Sequence, residues 1–497
     1  MLGITTTNAR VGGFRGGISA EAKTIYNRII ADGGVSNLTR LNFFVKGLKA
    51  IYGDLANVPV CYDAHWIGYK LGSGTGATSG QAAAKLYSLT VAGDAVQATA
   101  ASQPLLLSHN GSDNYWWGSG VAGNFMSTPN AAANQITGDM EIICKVNLPN
   151  YTPTGSEQWL VTKYGYSENN RCYGLGFVAS NSKLTYRISI DGTPSGLTPF
   201  AATADITIPN NTDCYLKCTY DQNNGSGNYE VKFYQSTDGV TYTQIGATVS
   251  GSSIANTFNA NTPVLIGAIG SLSTNTGAII GKIYRATIAN SIGGTPVVDF
   301  NPATYNASTS QTQWTSATGE VWTINTGTAT TGYKGVLVDR TIVQSDGVDD
   351  NMVSSTISSI SNRTNYLAVI TWVSTNGSYF MDGNLIASNG VLTGNTNLIG
   401  IATNQATVTT ATYTQQRKLS TTKLSGTTQG AAINNGSETT ATAVGALPFT
   451  SVVIGRAGNG LAAINSVFLT VAISNSADDT TNRTAMYNLI RSLNNNA

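Results

Sequence analysis

Charge is what this sequence has least of. Charged residues make up 11% of its 497 positions, against roughly 25% in an average soluble protein. The 27 basic and 26 acidic residues are scattered and nearly cancel, to a formal +1. No run of Lys or Arg offers the electrostatic footprint that nucleic acid or an anionic lipid surface requires. Histidine is scarcer still: His65 and His109 are the only two, which excludes a zinc-type ligand spacing and leaves no Ser/His/Asp set. The five cysteines are odd in number and lack a framework spacing. Cys214 and Cys218 sit in CYLKCTY, where strand alternation puts them on one face with Leu216 and Tyr220 as buried thiols. No apolar run reaches the about 18 residues of a membrane span. The opening MLGITTTNARVGGF lacks the charged-then-apolar layout of a signal peptide, so folding in a cytoplasm is expected.

Polarity comes instead from Thr, Ser, Asn and 54 glycines. β-Branched residues fit pleats, and Gly and Asn fit the tight turns between them. Disorder is the competing reading of low charge with high glycine; 23 Tyr, 12 Phe and 7 Trp argue against it. The expected fold is mainly β.

The first 70 residues differ. A Gly- and Thr-rich arm (1–17) leads into ISAEAKTIYNRIIADGG, where Ser19 can cap a helix carrying Ala22, Ile25, Tyr26, Ile29 and Ile30 as one stripe. A second helix follows in SNLTRLNFFVKGLKAIYG, with Leu41, Phe44, Val45, Leu48 and Ile51 on one face. Gly47 inside it costs about 1 kcal/mol relative to Ala. Such a hairpin is too small to be stable alone. Its residues Ile25, Ile29, Leu41, Val45 and Leu48 are therefore candidate assembly contacts, and residues 1–70 a candidate anchor. LGSGTGATSGQ, within 71–84, reads as a flexible linker.

From about Lys85 the apolar period changes to two. DMEIICKVNL alternates Met140, Ile142, Cys144, Val146 and Leu148, and KLTYRISID does the same. YEVKFYQSTDGVTYTQIG is a hairpin turning at Asp238–Gly239. Several such strands without helices indicate antiparallel β-sandwiches. The pattern is written twice. TPVLIGAIG (Thr262–Gly270) leads into KIYRATIANS, and TSVVIGRAG (Thr450–Gly458) into SVFLTVAISNS; upstream, SHNGSDNYWW parallels QSDGVDDNMV. Two tandem modules are expected, 85–306 and 335–497, joined by an ordered connector at 307–334. The Met486, Leu489, Ile490 and Leu493 helix closes the second.

These landmarks resemble the concanavalin A-like (laminin G-like) jelly roll. LYSLTVAGDAVQATAASQPLLL is similar to a segment found before such modules, matching at Tyr87, Gln97-Ala98-Thr99 and Gln103-Pro104, with Ser88 and Thr90 in place of Asp and Ser. IIADGGVSNLTRLNFFVKGLKAIYG resembles the helical front of many tailed-phage virion proteins, and VVDFNPATY with TGEVWTIN their connectors. The resemblance implies a bacteriophage structural protein: a head fibre, decoration or tail protein, made in the host cytoplasm and carried on the virion. It further implies capsid or tail partners bound through the N-terminal region, a homo-oligomer with the trimer as a common form, and a host surface glycan as ligand.

The fold also hosts glycosidases and cell-surface adhesins, and fold alone does not decide among them. Retaining glycoside hydrolysis needs two carboxylates about 5 Å apart. The seven Glu are widely spaced, and Asp139-x-Glu141 on an outward strand face is the nearest approach. No catalytic residue, cofactor or metal is assigned. Asp346, Asp349 and Asp350 in DGVDDN read as a turn whose side chains satisfy backbone amides, with calcium as the alternative. DNYWW puts Tyr115, Trp116 and Trp117 on one strand: Trp116 is the glycan-stacking candidate, and core or inter-module packing the competing role.

Overall fold

The computed structural model describes residues 17–72, 81–109, 113–166, 169–180, 182–252, 254–305, 312–327, 331–346 and 348–373, then 378–382, 391–393, 398–401, 408–409, 418–425, 428–433, 437–442, 451–454 and 465–495. The expected arm before Gly17, residues 73–80 of the expected linker and Gly455 lie outside the described residues. The chain is mainly β and antiparallel, with helices α1 (Ala20–Ala31), α2 (Leu38–Tyr52) and α3 (Thr480–Asn495). The antiparallel β-sandwich expected from the sequence is present twice, with the helical segment ahead of it.

The first sandwich faces two sheets across one core. One runs Thr243–Gln244, Asn228–Ser236, Asp213–Asp221, Met140–Asn147, Ile280–Ala289, Tyr115–Ser119 and Val336–Val338. The other includes Gln158–Gly165, Val264–Ile266, Phe125–Thr128, Val321–Asn325 and Gln313–Thr315. Alternation decides what is buried: Met140, Ile142, Cys144 and Val146 meet Cys214, Leu216, Cys218 and Tyr220 inside, while Glu141, Ile143, Lys145 and Asn147 face out. All five cysteines are buried and free.

The second sandwich has its own core, among them Val343, Met352, Leu367, Ile454, Val471 and Ile473. Ile266 and Ile454, the paired landmarks, lie in different sheets and different cores. One sheet pairs Arg363–Val373 with Asn465–Ser474, and the latter with Ile342–Asp346. That sheet matches strand for strand the Met140, Ile280 and Tyr115 strands of the first.

The limits of the modules differ from the expected ones. Leu105–Leu107, just before the first sandwich in the chain, pairs with Ile342–Asp346 of the second. Ala95–Val96 likewise pairs with Met352–Ser354. Conversely, the expected connector forms the hairpin Gln313–Thr315 and Val321–Asn325 on the first sandwich, and Val336–Val338 pairs with Tyr115–Ser119 there. The two lead-ins are thus copies of one element, and each completes the sandwich of the other repeat. Residues 85–107 belong to the second sandwich and 313–338 to the first. A repeat in sequence shows that an element recurs, not which sheet it joins.

The expected anchor is not separate either. Val60–Tyr62 pairs with Asn465–Ser474, and the stripe Ile25, Ile29, Leu41, Val45 and Leu48 is 0–6% exposed, packed with Tyr366, Ala472, Met486 and Ile490. The hairpin is stabilised by this chain's own sheet and α3, so these residues are core and not assembly contacts. Gly47 is explained by the same packing: a Cβ there would lie 2.5 Å from Leu489 Cδ1. The expected swinging linker lies mostly outside the described residues, but the strands on either side of it, Tyr69–Leu71 and Gln81–Leu86, pair with each other. No described helix is long and apolar enough to cross a membrane.

Candidate functional site

The outward face of the Met140–Asn147 sheet differs between the repeats. In the second sandwich its counterpart lies under the three helices, with Tyr366 and Ala368 buried there. In the first, the Tyr115 and Trp117 end is covered as well, but the part over Met140–Asn147 and Asp213–Asp221 is half-exposed, and cross-strand register lays its side chains out in rows. Tyr215, Lys145 and Arg285 sit opposite one another on three neighbouring strands. The next row is Tyr234, Lys217, Ile143 and Thr287.

A groove of about 260 Å³ crosses these rows, lined by Ile143, Lys145, Tyr215, Gly239, Tyr242, Arg285, Thr287 and Pro296. One wall is the hairpin loop after Ser236. Asp238 Oδ1 accepts the N–H groups of Val240 and Thr241, both at 2.8 Å. Gly239 has φ +73°, and a Cβ there would lie 2.8 Å from the Tyr215 ring, so only glycine lets the loop rest on that ring. The opposite wall is Pro296, on the Pro296–Phe300 strand.

The cations are held over rings. Lys217 Nζ lies 4.1 Å from the Tyr242 centroid and 4.8 Å from that of Tyr234, and Lys145 Nζ lies 5.6 Å from Tyr215 and 5.1 Å from Tyr284. Each is also tied to a carboxylate: Lys145 to Asp113, Arg285 through two nitrogens to Asp299 at 2.8 and 2.9 Å, Lys217 to Glu141 at 4.0 Å. Burial works against the Lys145 ammonium, but Asp113, Tyr215 and Asp213 together outweigh it and its pKa rises. The Asp299 hydrogen bond raises Arg285 likewise. Burial, helped by the Glu141 charge, pushes the Tyr242 phenol up to about 12. At neutral pH the groove therefore presents the neutral Tyr242 phenol and fixed cations whose charge is locally balanced. No carboxylate lines it, so nothing in it matches an acid and nucleophile pair.

The sequence candidates fall elsewhere. Trp116 is 0% exposed inside the first core, so its ring cannot stack on a sugar. Trp117 and Tyr115 turn the other way, into the core beneath the helices, which is inter-module packing. Glu141 faces out beside Lys217. His65 is structural: its Nδ1 accepts Thr341 N at 3.2 Å. Inward alternation marks the buried half of each strand and does not single out the groove residues. The outward half, Tyr-x-Lys in the Asp213–Asp221 strand against Ile-x-Lys in Met140–Asn147, carried the signal. Inside the second sandwich, a void of about 20 Å³ among Tyr62, Val343, Met352 and Ile454 has room for one water at most.

No family model and no curated protein matches the sequence. Solved structures with similar sheets include the LG1–3 region of the laminin α2 chain, at 10% identity and TM-score 0.29 over 74% of this chain and 63% of that one. Domains LG4–5 of the mouse laminin α1 chain match at 11% and 0.27, over 76% and 95%. A putative carbohydrate binding protein from Bacteroides ovatus matches at 12% and 0.31, over 43% and 58%. The chain thus spans under two thirds of the laminin α2 fragment. At such identities and scores no residue or activity carries over.

Proposed function

We propose that this chain is a non-catalytic structural protein that binds a glycan through the open face of its first sandwich. The observation that supports it is the difference between the two copies of that face: one is sealed by helices, the other partly open along a groove lined with Tyr215, Tyr242, Lys145 and Arg285. Tyrosine rings offer apolar faces to sugar C–H groups, and charge-paired Lys and Arg offer fixed donors to hydroxyls. The volume lies just below the roughly 300–1,000 Å³ of drug-sized pockets, suited to one or two sugar rings of a longer chain. Because the cations are already paired, the groove favours a neutral saccharide.

The resemblance in sequence extends the proposal to a place on a phage virion, as head fibre, decoration or tail protein touching host glycan. Docking on capsid or tail proteins through the N-terminal region would not use the helical stripe, which is buried in its own chain. Two measurements test the two halves. Glycan-array binding followed by calorimetry should show a ligand whose affinity falls about ten-fold or more in Tyr215→Ala and Tyr242→Ala at unchanged melting temperature. Quantitative protein analysis of purified particles should find the chain at a fixed, symmetric copy number. No glycan bound, or binding indifferent to both tyrosines, defeats the first half; absence from particles defeats the second.

A further inference from the structure

Two passages of chain join the sandwiches, and they run side by side. The chain leaves the second sandwich after Leu107 and returns to it at Ile342, its partner in one sheet. It enters the first at Tyr115 and leaves it at Val338, again partners. His65 and His109, the only two histidines of the chain, both stand at this crossing.

One line of hydrogen bonds runs through them. Thr341, on the return passage, donates its N–H to His65 Nδ1 at 3.2 Å and accepts His109 N with its hydroxyl at 3.1 Å. His109 Nε2 lies 3.2 Å from Asn114 Oδ1, and Asn114 Nδ2 donates to Pro302 O of the first sandwich at 3.3 Å. These bonds fix both tautomers. A backbone N–H can only donate, and so can Arg40, whose Nη1 is 3.4 Å from the same His65 Nδ1. That nitrogen must keep its lone pair. Asn114 turns its carbonyl to His109, so His109 carries its proton on Nε2. His109 Nδ1 is buried with no hydrogen-bond partner among the described residues, and a proton added there would find no acceptor.

The charged groups around the two rings are Arg40 from α2, Asp63 from the loop of His65, and Asp339 and Arg340 from the return passage. With neutral imidazoles these are two cations against two anions. Two further protons would leave excess positive charge on rings that are 6% and 9% exposed. Burial, with Arg40 and Arg340, holds the His109 imidazole below its ordinary value, against Asp339 and Asn114.

We propose that His65 and His109 form an acid-released latch between the two sandwiches, closed while both rings are neutral and opened when they take up protons. An unfolded histidine titrates near 6.5. A depressed value in the closed state gives stability that is present above that pH and lost as pH falls below it. Each sandwich keeps a core of its own, so the crossing loosens first.

The test is hydrogen exchange of the full chain at about pH 7.5 and about pH 5, resolved by peptide and corrected for the intrinsic effect of pH. In wild type, corrected exchange around Leu105–His109 and Val336–Ile342 should rise about ten-fold or more at the lower pH, while Met140–Asn147 and Asn465–Ser474 keep their protection. The double variant His65→Asn, His109→Gln retains an acceptor in place of Nδ1 and a donor in place of Nε2, but neither side chain titrates. It should lose the rise. Asp63 titrates in the opposite sense and is common to both proteins, so their difference isolates the imidazoles. His109→Gln alone, which leaves the bond from Thr341 to His65 in place, should reduce the rise, and it decides the matter if the double variant is unstable at the higher pH. No rise at the crossing in wild type overturns the proposal. So does a rise that the variants retain in full, or one shared equally by the core strands.

Discussion

Leu107 lies opposite Ile342 in one sheet, and Val338 lies opposite Tyr115 in another. Each of the two leading strands thus crosses to the repeat it does not precede. The first sandwich is a continuous stretch of chain, about 113–338, whereas the second is assembled from residues on both sides of it.

Deletion should therefore act asymmetrically. A fragment of residues 113–338 contains both sheets and the whole core of the first sandwich, and should fold alone with one cooperative melt. Removing residues 1–72 takes away Val60–Tyr62, Tyr69–Leu71 and two helices from the second, which should lose protected amides while the first keeps them. Hydrogen exchange resolved by peptide reads both. Two intact sandwiches in the truncated chain would show the helical layer to be dispensable.

The neighbouring indoles Trp116 and Trp117 should separate the two cores. Both are fully buried, but Trp116 lies in the first core and Trp117 under the helices. Either change to Ala should cost about 3–5 kcal/mol. Trp116→Ala should destabilise the 113–338 fragment as much as the full chain. Trp117→Ala should lower the full chain's denaturant midpoint far more than the fragment's, since its partners there are absent. Equal effects in both settings would contradict the assignment.

How far the sequence could be read follows from which interactions leave a local trace. Inward alternation in DMEIICKVNL and CYLKCTY is local, and it placed the first core correctly. The Ile25 and Leu41 stripes are legible as apolar faces, but their partner is the sheet around Tyr366, hundreds of residues away, and nothing near either stripe names it. The lead-ins are hidden for a related reason. LYSLTVAGDA and QWTSATGEVW share too few letters to be recognised as one element, yet Leu86–Ala95 and Trp314–Trp322 are equivalent hairpin pairings. The groove was legible in principle, since Tyr215, Lys217 and Lys145 stand at outward positions of strands already identified.

Asp63 should give stability a distinctive pH dependence. It is fully enclosed, accepting His65 N and Trp66 N at 3.0 Å and Thr470 Oγ1 at 2.8 Å. Burial raises its pKa to about 6, against the opposing pull of Arg340 and these hydrogen bonds. An unfolded Asp titrates near 3.9, so between about pH 4 and pH 6 the folded state holds the extra proton. Stability from this group then falls as pH rises through that window. Denaturant midpoints should decline across it more steeply in wild type than in Asp63→Asn, where the slope is removed. A wild-type minus variant difference that is flat or rises with pH would refute the raised pKa.

The glycine that closes the repeated Ile-Gly pair gives the sharpest local test. Gly267 follows Ile266 at the strand end with φ +86°, and a Cβ there would lie 2.2 Å from Trp116 Cζ3 and 3.1 Å from Ile279 Cγ2. Two costs arise together in Gly267→Ala: a left-handed backbone for a residue with a Cβ, about 1–3 kcal/mol, and overlap with a buried ring that has no room to retreat. Gly225 has φ +80° with nothing within 4 Å of a Cβ, so Gly225→Ala carries the backbone cost alone. Urea unfolding of the 113–338 fragment should therefore place Gly267→Ala at least about 1 kcal/mol below Gly225→Ala, and adding Trp116→Phe to Gly267→Ala should recover part of that gap. Equal midpoints for the two glycine variants would mean that backbone conformation, and not the approach of Trp116, requires glycine after Ile266.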